Sequence, residues 1–293
     1  MSYTDSVILD YRPQRVWTSP VDLNLFLAGT GAATYFWGVL WGSWIGEGIG
    51  VLAVALGGLV TQLELGRPSR AWRALTRLGG SWMSRGVLFL SFFVVLGALS
   101  VLPSLPGLAG LPWGPSTTTG VVISTLAQIF ALGVTFYSGM LLSSWPSIPF
   151  WNTPLFPLMM MAFSFAGGSA VILAVLSLQA APVSLTQVEL DTLYLAGLCA
   201  VMALLYLATM APSTLASRAS VRIILWGKHS LDFYLGLAAI GLLLPLILLF
   251  VDYRSGSAPT ETALRIVATA ALLVGGFMVR RIWLRAGVYG LPV

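Results

Sequence analysis

Apolar residues in this chain gather into eight long runs, separated by short stretches where Arg, Asp, Pro, Gly and Ser concentrate. The runs cover about residues 21–43, 47–65, 85–103, 117–143, 154–178, 190–210, 229–252 and 260–284. Wound as helices, such runs reach across a hydrocarbon core about 30 Å thick, which takes about 20 residues. The pattern predicts an all-α polytopic membrane protein with eight transmembrane helices. It would form a single membrane domain over residues 1–293, built as two four-helix bundles.

Small residues punctuate the runs. Helix 1 carries Ala28, Gly29, Gly31, Ala32 and Ala33, and helix 5 carries Ala166, Gly167, Gly168, Ser169 and Ala170. In lipid, such clusters let helix backbones approach closely. Pro20 and the helix 1 cluster echo Pro157 and the helix 5 cluster. Ser69-Arg70-Ala71 after helix 2 echoes Ser217-Arg218-Ala219 after helix 6. The echoes fit two four-helix halves related by an axis along the membrane normal.

Charge sets the orientation. Eight spans leave both termini on one side, here face A. It holds Arg12, Arg15, Arg67, Arg70, Arg73, Arg77, Arg85, Arg218, Arg222, Lys228, Arg280, Arg281 and Arg285, against Arg254 and Arg265 on face B. Basic residues favour the cytoplasmic side. The charge pattern therefore predicts that both termini are cytoplasmic.

Composition narrows the chemistry. The chain is 57% hydrophobic and 9% charged, where a soluble domain averages about 25% charged. Its net charge of +5 sits at the ends of apolar runs, which explains it without nucleic acid. A single cysteine, Cys199, and a single histidine, His229, exclude an internal disulfide, an iron–sulfur cluster and bis-histidine haem. No haem or metal is expected in this chain. Asp5, Asp10, Arg12 and Arg15 interrupt the first twenty residues, so no cleavable signal peptide is expected.

Between helices 2 and 3 the chain reads Leu63-Glu64-Leu65-Gly66-Arg67-Pro68, then Ala71-Trp72-Arg73, then Ser81-Trp82-Met83-Ser84-Arg85-Gly86. Helix 1 has Phe26-Leu27-Ala28-Gly29-Thr30-Gly31-Ala32-Ala33, and helix 5 opens on Pro149-Phe150-Trp151-Asn152-Thr153-Pro154-Leu155. Near the carboxy end stand Gly275-Gly276-Phe277 and Arg280. This set resembles the polysulfide reductase-type (NrfD/PsrC-like) membrane anchors over essentially the whole chain. The resemblance implies a membrane anchor subunit of a respiratory oxidoreductase that exchanges electrons with menaquinone or ubiquinone. It also implies a four-cluster ferredoxin-like iron–sulfur partner and a catalytic subunit carrying a molybdenum or tungsten pterin, besides membrane lipid.

Quinone chemistry moves two protons with two electrons. It needs hydrogen-bonding groups at the quinone oxygens, a proton acceptor near water and an apolar slot for ring and tail. Candidates gather near face A. Asn24 stands where relatives place a polar quinone contact, although some of them have a histidine there; it also fits an interhelical hydrogen bond. Asp22 is a quinone contact or a helix N-cap. Glu64, beside Gln62, is the expected proton acceptor or an ion-pair partner of Arg67 or Arg85. Trp82 and Tyr137 wall the ring, while Trp72, Trp145 and Trp151 suit an interfacial aromatic belt. His229 and Asp232, three residues apart, share a helix face and offer a proton relay. Arg70, Arg73 and Arg77 dock an acidic partner surface or only set topology.

The rival reading is a secondary transporter or proton-conducting subunit. It calls for ionisable groups at the bilayer midplane, and the middles of helices 3, 4, 5, 6 and 8 contain none.

Overall fold

The computed structural model describes residues 13–14, 19–64, 79–179, 185–255 and 261–290. The spans are α1 (Ser19–Leu40), α2 (Trp44–Glu64), α3 (Trp82–Val101), α4 (Thr118–Ser143), α5 (Leu155–Leu178) and α6 (Leu185–Met210). After a short helix, α7 (Leu215–Leu225), the seventh span is a π-helical segment (Asp232–Leu243) continued by α8 (Leu244–Ser255). The eighth is α9 (Glu261–Arg285). Eight helices are long and apolar enough to cross a membrane, as the runs predict. The chain is an all-α polytopic membrane protein.

Local sequence explains the helix ends. Ser81, Thr117 and Thr214 cap α3, α4 and α7, each accepting from the backbone N–H three residues on, which satisfies an otherwise orphaned donor. Between α1 and α2 the chain reverses over Trp41-Gly42-Ser43. Gly42 takes φ +65°, a left-handed conformation that suits glycine.

The first four spans pack α1 on α2, α2 on α3, α3 on α4 and α4 on α1. The last four pack around α9, which meets α5, the π segment and α8. Helix α1 joins the two sets by lying against both α5 and α9. The small-residue clusters make these approaches possible. A Cβ at Gly50 would overlap the backbone of Gly31 and Tyr35, and one at Gly168 would overlap Ala33 and Thr34. Polar groups then tie helix to helix: Tyr35 Oη and Ser100 Oγ lie 2.7 Å apart, as do Ser169 Oγ and Thr192 Oγ1, and Thr269 donates to the Ala170 carbonyl at 2.8 Å. Such bonds replace the hydrophobic drive that lipid does not supply.

Two features depart from the sequence reading. The stretch after α6, read as a loop, contains α7, an amphipathic helix with Ala216, Ser217, Ser220, Val221 and Ile224 buried. The seventh span is also not a uniform α-helix. Leu244 N–H bonds back five residues to Ala239, and Pro245 next to it has no N–H to give, so the α ladder is interrupted there. The wide turn sets Gly241 against Gly275 of α9, so closely that a Cβ on either would overlap the other's backbone.

On face A the two ends of the described chain meet. Gln14 N–H donates to the Gly287 carbonyl at 2.9 Å, and Gln14 Nε2 to the Leu284 carbonyl at 3.0 Å. Near face B, Arg265 bridges two carboxylates inside the protein, with Nε 2.7 Å from Asp252 Oδ2 and Nη2 3.4 Å from Glu189 Oε2. All three side chains are buried, and they tie α6, α8 and α9 together. These charges stand within about two turns of the helix ends, away from the midplane.

Candidate functional site

Face A holds buried polar groups whose hydrogen-bonding capacity is unmet. Asp22, in the first turn of α1, is 1% exposed. The Arg285 guanidinium, in the last turn of α9, lies 3.7 Å from it. That is an ion-pair distance, too long for a hydrogen bond, and among the described residues neither carboxylate oxygen has a hydrogen-bond donor. The N-cap reading fails, because α1 begins at Ser19, three residues earlier. Asn24 lies less than a turn further along α1, also buried, with no donor to Oδ1 among the described residues. It faces Gly57 of α2, where a Cβ would come within 3.1 Å of that oxygen. A buried acceptor without a donor costs roughly 1–3 kcal/mol. Asp22 faces Arg285 of α9 and Asn24 faces Gly57 of α2, so the two oxygens lie on different sides of α1.

Arg280 stands behind this end of α1. The charge pattern reads it as a surface residue of face A, yet it is 1% exposed and inside α9. Nη1 donates to the Gly276 carbonyl and Nη2 to Ser164 Oγ, both at 2.6 Å. The guanidinium lies 5.7 Å from the centroid of the Phe26 ring, near enough for a cation–π contact. Among the described residues no carboxylate pairs with it. Its space comes from small neighbours: a Cβ at Gly29 would sit 2.6 Å from Ser164 Oγ and 3.0 Å from Arg280 Nη2. The available signal in the sequence is Gly29 in the small-residue cluster of helix 1, where a side chain would crowd the guanidinium.

Aromatic walls come from α3 and α4. The Tyr137 ring lies on Gly86, where any Cβ would overlap it. Trp82 meets Phe136 edge-on at 6.2 Å, with the Arg85 guanidinium 4.7 Å from its ring centroid. Leu25, next to Asn24 on α1, and Tyr137 belong to one buried cluster. Trp151 does not join an interfacial belt. It is fully buried, with Nε1 donating to the Trp283 carbonyl at 2.8 Å. Trp145 is exposed, as a belt residue should be.

His229 and Asp232 do pair, Nδ1 to Oδ2 at 3.2 Å, with the histidine buried. Burial pushes the His229 pKa below its ordinary value and Lys228 and Arg285 add to this, while the bond to Asp232 opposes it. Gln62 is exposed on α2. The side chain of Glu64 and all of Arg67, Arg70, Trp72, Arg73 and Arg77 lie outside the described residues. Among the described residues, no three His, Cys, Asp or Glu side chains converge as metal ligands would.

Residues 9–291 match the family described as polysulphide reductase, NrfD. The protein is similar to Protein NrfD of Escherichia coli (strain K12), at 26% identity over 93% of its own length and 95% of that relative. It is also similar to the third-lettered subunit, C, of the polysulfide reductase of Wolinella succinogenes, at 29% identity over 52% of its own length and 56% of that relative.

Proposed function

The chain belongs to the NrfD polysulphide reductase family, and from that premise we propose that it is the quinone-reactive membrane anchor of a respiratory oxidoreductase. In this reading it exchanges electrons between menaquinone or ubiquinone and an iron–sulfur partner subunit, which serves a molybdenum or tungsten catalytic subunit. The observation that carries the site assignment is the pair of buried, donor-poor oxygens on Asp22 and Asn24 at the face A end of α1.

The residues divide the chemistry. Quinol and quinone differ by two protons and two electrons, so the site must accept O–H groups in one state and offer donors in the other. Asn24 Oδ1 accepts a quinol O–H, Asp22 and Glu64 take up the two released protons and pass them to face A, and the two electrons go to the iron–sulfur partner. His229 and Asp232 extend that exit. Arg280 holds a fixed positive charge beside α1, which stabilises negative charge on the ring oxygens as electrons arrive. Trp82 and Tyr137 wall the ring, with Gln62 and Arg67 at the mouth. Arg70, Arg73 and Arg77 dock the iron–sulfur partner on the same face, where electrons leave or enter. The excess of basic residues on face A supports a cytoplasmic placement of that face, and membership of the family supports an inner-membrane location.

The experiment is turnover of a quinol analogue by the isolated complex. Asn24→Ala and Glu64→Gln in an assembled complex are expected to raise KM or lower kcat at least tenfold. Unchanged turnover and quinone affinity in both variants would remove the site assignment, and a purified complex without an iron–sulfur subunit would remove the partner assignment. The proton-conducting alternative draws on one observation, the buried Glu189–Arg265–Asp252 group near the opposite face. Proton uptake by sealed vesicles during turnover separates the two.

A further inference from the structure

A cavity of about 290 Å³ opens on face A, away from the candidate quinone site. Its walls are the last turns of α6, with Leu207 and Ala208, and one side of α7, with Val221 and Leu225. Its rim carries Arg218 and Arg222. These stand four residues apart on α7, so their side chains lie on one helix face. Both are exposed, and among the described residues neither pairs with a carboxylate. Arg218 Nε donates to the Ala211 carbonyl at 3.3 Å, which holds its guanidinium over the end of α6.

The location matters as much as the lining. Helix α7 joins the end of one span to the start of the next, which puts it at the face A boundary. Its partner face is buried, while Leu215 is 66% and Trp226 74% exposed. In water such exposure is unfavourable, but at the headgroup boundary a tryptophan and a leucine beside arginines are at home. A slot with apolar walls and an uncompensated double positive charge at its mouth matches an amphiphile with an anionic head and an aliphatic tail. Basic pockets between spans on the cytoplasmic side recognise such head groups.

We propose that the α6–α7 groove is a binding site for one anionic phospholipid, with its phosphate between Arg218 and Arg222 and an acyl tail along Leu207, Ala208, Val221 and Leu225. The small Ala208 leaves the slot open for the tail. A cavity of this size is too small for the whole lipid, so the remainder lies on the bilayer side of the groove. Two charge-assisted contacts hold the head, and Trp226 marks the depth at which head gives way to tail.

The test uses the purified full-length protein with any subunits that co-purify, delipidated in neutral detergent. Phosphatidylglycerol or phosphatidylcholine is titrated in and bound lipid is counted by native mass spectrometry. The wild type is expected to retain one phosphatidylglycerol that phosphatidylcholine does not replace. Arg218→Gln with Arg222→Gln should weaken that binding about 30-fold. Ala208→Trp keeps both arginines but fills the slot, and should also abolish it. Inorganic phosphate should not compete at concentrations that saturate the lipid. Equal retention by wild type and the double variant, or equal binding of phosphatidylcholine, overturns the proposal. Binding that survives Ala208→Trp and yields to inorganic phosphate shows a small-anion site and overturns it equally. Saturable binding of an acidic soluble protein to the same arginines in the absence of lipid assigns the surface to a protein partner and overturns it too. Protection of Cys199 from alkylation shows that each variant is folded, because that thiol is fully buried.

Discussion

Replacing Arg265 with Met is expected to be among the most destabilising single changes in this protein, and the structure ranks it against its neighbours. The guanidinium sits 2.7 Å from Asp252 and 3.4 Å from Glu189, with side-chain exposures of 9%, 0% and 3% for Arg265, Asp252 and Glu189. Solvent screening is therefore slight. Removing the arginine leaves two acidic groups facing each other in a dry site, and breaking a buried ion pair from one side costs about 3–5 kcal/mol. By the scaling of larger domains this corresponds to roughly 10 °C in melting temperature. Asp252→Asn, which removes the shorter contact, is expected to fall below that. Glu189→Gln retains the 2.7 Å pair and loses only the longer bond, worth about 1 kcal/mol. The assay is built into the protein. Cys199 is its single cysteine and is fully buried, so a thiol-reactive fluorophore reports unfolding as the detergent-solubilised protein is heated. Replacing all three residues with apolar ones of similar volume should recover most of the loss, because no unpaired charge remains. Glu189→Gln as damaging as Arg265→Met, or a triple variant worse than either, would refute the electrostatic reasoning.

Other expectations follow from packing and charge. Gly275→Ala and Gly241→Ala each force backbone against backbone and should cost about 1–3 kcal/mol, read by the same alkylation melt. The pH dependence near neutrality should contain a His229 contribution of definite sign. Because burial favours its neutral form, the unfolded chain takes up the proton first as pH falls through the ordinary value of 6.5. Stability is full above that pH and declines below it, and His229→Gln should remove that part of the slope. Gly57→Ala should crowd Asn24 Oδ1 and lower quinone affinity without abolishing assembly, measured as a rise in KM for a quinol analogue.

The spans were legible because each is a long apolar run bounded by charge or by Pro, Gly and Ser, a signal that survives without knowledge of neighbours. Helix α7 was not, since its eleven residues are too few to register as a span and its Arg218 and Arg222 resemble loop charges. The π segment depends on how Pro245 and Gly241 meet α9, a tertiary matter. Glu189 stands 76 residues from Arg265, and only the packing of α6 against α8 and α9 makes it one buried group with Asp252 and Arg265. Arg280 shows the limit of charge counting. An arginine near the end of the last run looks like a topology signal, but Ser164, the Gly276 carbonyl and the space beside Gly29 hold it inside. Within the candidate site, Asp22 and Asn24 were legible as polar residues in an apolar run. Their missing donors became visible only once the neighbouring helices were in place.

The central claim is that quinone is handled at the face A end of α1. Photo-crosslinking of the assembled complex with an azido-quinone, followed by peptide mapping, tests it most directly. Labelling is expected in the first turns of α1, the end of α2 and the face A ends of α3 and α4, suppressed by excess native quinone. Competable labelling confined to the face B ends, around Glu189 and Asp252, would contradict it.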